Sequence, residues 1–120
     1  MSKYILIVDD DLSVGATISM LVKSAGFEIS YFSDPQLLLE ALPKMARAPD
    51  LLITDYRMPY INGLELIQLC RAALPKLKTI SVSGALSITE IDKYPLKPDA
   101  VLLKPFGRED LLNLINSLLQ

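Results

Sequence analysis

The sequence predicts an α/β domain built on a parallel sheet with crossover helices. Three observations lead there. Five short apolar segments of strand character alternate with longer segments of helical period. The first of them, Tyr4 to Val8, is a continuous β-branched-rich run of the kind buried on both faces of a sheet. At 120 residues, with 51% hydrophobic and 22% charged positions, the chain supports one compact core, a single domain over residues 1–120.

The elements follow in order. Tyr4 to Val8 ends at three acids, Asp9, Asp10 and Asp11. Val14, Ile18, Leu21, Val22 and Ala25 then fall at helical spacing, with Ser13 or Asp11 able to cap the start and Gly26 placed for a left-handed stop. Gly15 inside this helix costs about 1 kcal/mol relative to Ala, so the helix relies on packing. Phe27 to Phe32 reads as the second strand, and Ser33-Asp34-Pro35 opens a helix with Asp34 as cap and Pro35 at its first position. That helix carries Leu37, Leu38, Ala41 and Leu42, and Pro43 and Pro49 bracket its irregular end. Leu51 to Thr54 is a third strand stopping at Asp55, after which a loop from Tyr56 to Asn62 leads to Gly63. The next helix buries Leu66, Ile67, Cys70, Ala73 and Leu74, and Thr79 to Val82 forms a strand ending at Ser83 and Gly84. Between Ala85 and Asp99, Ile88 and Ile91 indicate about two helical turns, while Pro95 and Pro98 forbid a long helix. Ala100 to Leu103 is the fifth strand. Beyond Lys104, Pro105 and Phe106, a final helix has an apolar stripe at Leu111, Leu114, Ile115 and Leu118, with Glu109 and Asp110 complementing the dipole of its first turn.

Composition narrows the function. With 12 Lys and Arg against 14 Asp and Glu, the net charge of -2 leaves no basic excess to neutralise a nucleic-acid backbone. No apolar stretch approaches the roughly 20 residues of a membrane span. A single cysteine and the lack of a signal-peptide layout fit a reducing, cytoplasmic setting, and Cys70 reads as plain core. The absence of histidine excludes a Ser-His-Asp triad, imidazole metal ligands and a phosphohistidine on this chain.

In an open parallel sheet, ligands bind beyond the carboxyl ends of the strands. There the sequence places Asp9 and Asp10, Asp55, Ser83 and Lys104, whereas Asp11 and Asp34 read as helix caps. Carboxylates gathered so closely need a cation among them, and an all-oxygen set favours a hard ion such as Mg2+. Phosphoryl transfer suits such a pocket, with Asp55 the best candidate nucleophile and Ser83 and Lys104 contacting the other phosphoryl oxygens.

The runs "ILIVDDD", "LLITDYRMPYINGLELI", "SVSG" and "LLKPF" resemble, in order and spacing, the receiver domain of two-component response regulators. The resemblance spans essentially the whole chain and rests on the combination: an acidic pair after strand one, Asp-x-x-Met-Pro-x-x-x-Gly after strand three, and Lys-Pro-Phe after strand five. It implies a flavodoxin-like sheet of order 2-1-3-4-5 with five helices. It implies Asp55 as phosphoacceptor, Asp9 and Asp10 as Mg2+ ligands with Asp10 the more direct, and the Arg57 carbonyl completing the set. Ser83 becomes the switch hydroxyl and Lys104 the phosphate-binding lysine, carried on a cis Lys104-Pro105 peptide. Asn62-Gly63 is expected to form a tight turn with a left-handed option, and the Arg57 side chain to influence how fast the acyl phosphate hydrolyses.

The function implied is a phosphorylation switch of a two-component or phosphorelay system, charged by a histidine kinase or phosphotransfer partner. Its output passes through the helix 4, strand 5, helix 5 face to another domain or protein, without direct nucleic-acid or membrane contact. Self-catalysed phosphoryl acceptance and loss distinguish it from a turnover enzyme. Two other readings stay open: a receiver-like interaction module that no longer cycles phosphate, and a Mg2+-dependent aspartyl-phosphate phosphohydrolase, although Arg57 stands where a second carboxylate would be needed. The chain departs from the family at Val101, commonly aromatic, and in the Tyr94-Pro95 and Lys97-Pro98 stretch. An altered partner surface or dimerisation is expected from both.

Overall fold

The computed structural model describes residues 2–85 and 88–120. Five parallel strands, β1 (Tyr4–Val8), β2 (Glu28–Phe32), β3 (Leu51–Asp55), β4 (Lys78–Ser83) and β5 (Ala100–Leu103), form one sheet of order 2-1-3-4-5. The helices are α1 (Leu12–Ser24), α2 (Pro35–Ala41), α3 (Gly63–Ala73), α4 (Ile88–Asp92) and α5 (Arg108–Leu119), with a 3-10 turn at Leu42–Lys44 after α2. This is the flavodoxin-like architecture that the resemblance implied.

Period-two alternation in the strands sorts the core into two layers. Ile5, Ile7, Leu51, Ile53, Ile80, Val82 and Leu102 pack with Ile18 and Val22 of α1 and Leu111 and Ile115 of α5. Leu6, Val8 and Leu52 face the other way, onto Leu38 of α2 and Leu64, Leu66, Ile67 and Cys70 of α3. Each such buried side chain contributes about 1.5–3 kcal/mol of transfer free energy. Of the residues expected on buried faces, Ala73 is exposed, whereas Leu74, Leu114 and Leu118 are half-buried and pack against these clusters from their edges.

Caps set the helix starts. The Asp11 carboxylate accepts from the N–H groups of Ser13 (2.9 Å) and Val14 (3.2 Å), and Asp34 accepts from that of Gln36 (2.8 Å) behind Pro35. Asn62 and Glu65 form a reciprocal capping box on α3. Gly26 takes the left-handed conformation (φ 98°) that stops α1. Gly63 does not. It is the first residue of α3, and the left-handed residue of that loop is Tyr60 (φ 73°).

Between Ala85 and Asp99 the described residues hold one short helix, five residues long, that ends ahead of the two prolines. Leu86 and Ser87, within that segment, lie outside the described residues. The backbone ladder brings the site residues together. Strand order reverses between β1 and β3, and Val8 lies opposite Thr54 there, so Asp9 and Asp55 leave the sheet side by side. Ser83 lies opposite Leu103, one residue before Lys104. Among the described residues, no helix is long and apolar enough to cross a membrane.

Candidate functional site

Asp9, Asp10 and Asp55 each bring a carboxylate oxygen within 4.8 Å of the others. Asp9 is buried, Asp10 is exposed and Asp55 is half-buried. One oxygen of Asp9, Oδ1, accepts from the Asp11 N–H (2.9 Å). The other, Oδ2, is buried with no hydrogen-bond partner among the described residues. An unpaired buried carboxylate oxygen is expensive when charged, so ionisation becomes harder: burial pushes Asp9 up to about 6. The Asp11 N–H pulls it down, Asp55 adds to the rise and Lys104 opposes it, each by less.

Asp55 Oδ1 accepts from its neighbour's N–H, that of Tyr56 (3.0 Å), and from the Lys104 ammonium (3.2 Å). One backbone contact fixes where the lysine leaves the sheet. Its N–H donates to the Ser83 carbonyl (2.8 Å), which binds it to the end of β4, and the Lys104-Pro105 peptide is cis. Ser83 is itself buried, and its Oγ accepts from the Ala85 N–H (3.1 Å). Arg57 is exposed in the loop after Asp55. Three carboxylates against one ammonium leave the pocket net negative. Together with the orphaned Asp9 Oδ2, that donor set fits a hard divalent cation.

Two contacts here have no counterpart in a strand-end reading of the sequence. Gly63 lies under the site: its N–H donates to the Tyr56 carbonyl (2.8 Å), and an added Cβ would collide with the Asp55 carbonyl oxygen. Close approach explains this glycine, which the sequence offered only as the end of the Asp-x-x-Met-Pro-x-x-x-Gly pattern and as a turn former. The Tyr56 hydroxyl donates to the Glu90 carboxylate of α4, and that bond pushes the hydroxyl up to about 12. Asn62 adds a second tie, donating to the Tyr94 hydroxyl (3.1 Å).

The family model for the response regulator receiver domain matches residues 5–116. The chain belongs to that family. Similar receiver proteins include CpdR of Brucella abortus, 30% identical over 118 residues that cover 98% of this chain and 97% of CpdR. The transcriptional regulatory protein FixJ of Bradyrhizobium diazoefficiens is 29% identical, with 95% of this chain and 55% of FixJ covered. The response regulator MprA of Mycobacterium leprae is 32% identical, with 97% and 50% covered, so this receiver domain spans about half the length of FixJ and of MprA. A CheY-like receiver domain from Methanospirillum hungatei superposes with a TM-score of 0.88 at 27% identity, covering 99% of this chain and 94% of that one. The response regulator TrrA of Thermotoga maritima, solved in complex with Mg2+ and BeF, superposes with a TM-score of 0.84 at 26% identity, covering 98% and 99%.

Proposed function

We propose that this receiver domain takes a phosphoryl group onto Asp55 from the phosphohistidine of a histidine kinase or phosphotransfer protein and thereby shifts between two surface states. The observation that carries this reading is the convergence of Asp9, Asp10 and Asp55, with the Lys104 ammonium 3.2 Å from Asp55 and Asp9 Oδ2 unpaired. Mg2+ would be held by the three carboxylates and the Arg57 carbonyl. Bound there, it supplies positive charge that neutralises the phosphoryl oxygens.

An Asp55 carboxylate oxygen attacks phosphorus, the P–N bond to the donor imidazole breaks, and the imidazole keeps the electron pair. Lys104 then transfers its charge-assisted hydrogen bond from Asp55 to a phosphoryl oxygen, and the Ser83 hydroxyl donates to another. These new contacts drive the population shift. Water attack on phosphorus releases phosphate and restores Asp55, so the domain resets itself in the cytoplasm without acting as a turnover enzyme.

Output would leave through α4, β5 and α5, where Ile88 and Leu103 stand 77% and 56% exposed. Val101 lacks the ring that usually couples this face to the switch hydroxyl. The bond from Tyr56 to Glu90 supports another route, because it ties the residue beside Asp55 directly to α4.

Incubating the protein with Mg2+ and a small phosphodonor tests the reading by intact mass. A switch stops at one phosphoryl group per chain. Rapid hydrolysis of a simple phosphate monoester with no acyl phosphate accumulating would identify a phosphohydrolase instead, and neither covalent phosphate nor phosphate release would leave an interaction module.

A pH dependence follows from Asp9. In the folded domain it binds a proton as pH falls through about 6, whereas the unfolded chain does so near the ordinary 3.8. The free domain therefore gains stability from this group as pH drops from 7 toward 5. Mg2+ must displace that proton, so its affinity should fall about tenfold over the same interval. Calorimetric titration at pH 7 and 5 checks this, and equal affinities would remove Asp9 from the metal site.

A further inference from the structure

Tyr31 of β2 stands beside α1 at the one position where α1 has no side chain. An added Cβ at Gly15 would run into the Tyr31 ring carbons Cε1 and Cζ and its hydroxyl, far inside van der Waals contact. Glycine there weakens the helix by about 1 kcal/mol relative to Ala, so its presence needs a packing reason, and the tyrosine supplies one. The ring passes over Gly15 and its hydroxyl donates to the backbone carbonyl of Asp9 (2.7 Å).

That bond completes a set. The Asp9 N–H donates to the Phe32 carbonyl (3.2 Å), its carbonyl accepts from Tyr31, and its Oδ1 accepts from the Asp11 N–H. Among the described residues, Oδ2 is left as the one polar atom of Asp9 without a partner. Strand β2 thus grips both backbone groups of the residue, and the carbonyl grip also orients the peptide plane that leads into Asp10.

We propose that Tyr31, admitted by Gly15, is a positioning residue that holds the Asp9-Asp10 turn in the geometry required to bind a divalent cation. The proposal rests on the metal reading given above and assigns the cation site a support from β2. Outer partners of metal ligands commonly change affinity by 10–100-fold when removed.

The test separates the hydroxyl from the ring. Tyr31→Phe keeps the ring over Gly15 and deletes the donor. Its Mg2+ affinity is expected to fall about tenfold, with a shifted Asp10 amide resonance in the metal-free protein and an unfolding midpoint close to that of the parent. Gly15→Ala displaces the ring and should lower both affinity and stability. In Gly15→Ala combined with Tyr31→Ala, the collision is gone, so stability should recover from that of Gly15→Ala while affinity stays low. Unchanged Mg2+ affinity in Tyr31→Phe, with the parent binding normally, would reduce Tyr31 to packing and overturn the proposal alone. A parent protein that binds no Mg2+ would overturn the metal reading and this proposal together.

Discussion

Asp55→Asn is expected to abolish covalent phosphate incorporation while leaving a folded domain. The substitution is nearly isosteric, so the cause is chemical. An amide oxygen is a poor nucleophile, and the Lys104 ammonium loses the carboxylate it now meets at 3.2 Å. Stability should change by no more than about 1 kcal/mol, because two effects oppose one another. The partly exposed Lys104 pair is weakened, but one of three crowded carboxylates disappears, and Asp9 no longer feels the Asp55 charge that raises it. Intact mass after phosphodonor treatment reads the first effect and urea unfolding the second. Covalent phosphate persisting on the variant would place the acceptor elsewhere.

Gly63→Ala should produce a second large effect, from one methyl group. Its Cβ would strike the carbonyl oxygen of Asp55, with the Asp55 carbonyl carbon and the Tyr56 Cα at 3.1 Å. All three are backbone atoms of the strand end that carries the acceptor, so nothing there can rotate away. Alanine is the better helix former by up to about 1 kcal/mol, yet α3 only begins at this residue, and overpacking wins. A loss of about 2 kcal/mol is expected, with phosphorylation slowed by tenfold or more as Asp55 is displaced. Gly84→Ala is the matched control, since an added Cβ there meets nothing within 4 Å among the described residues. It should stay within about 0.5 kcal/mol of the parent. Equal behaviour of the two variants in urea and in phosphodonor assays would show that the Asp55 backbone yields.

The strands were legible because their physical demand is simple. Tyr4 to Val8 is buried on both faces and reads as unbroken apolar sequence, and Asp9 and Asp55 announce themselves by interrupting such runs. Asp11, Asp34 and Gly26 were legible as caps because capping is local. The contacts that tune the site were not, since each joins positions distant in the chain. Gly15 could be seen as a helix defect, but Tyr31 lies 16 residues away and only the packing of β2 on α1 explains the glycine. Gly63 was read through its turn propensity, whereas its cause is the approach of the Asp55 backbone. The tie between Tyr56 and Glu90 spans the least patterned stretch, where two prolines mask helical period. Short α4 itself was foreseeable for that same reason.

The central claim is that charging Asp55 reaches the distant face of the domain although Val101 replaces the usual ring. Amide NMR of the isotopically labelled protein with Mg2+ and beryllofluoride, a phosphoryl mimic, tests it most directly. Saturable shifts at Ser83, Val101 and Lys104 that extend through Glu90 into α5, and vanish in Asp55→Asn, are the predicted result. A folded protein that binds Mg2+ but shows no shift beyond the pocket would contradict it.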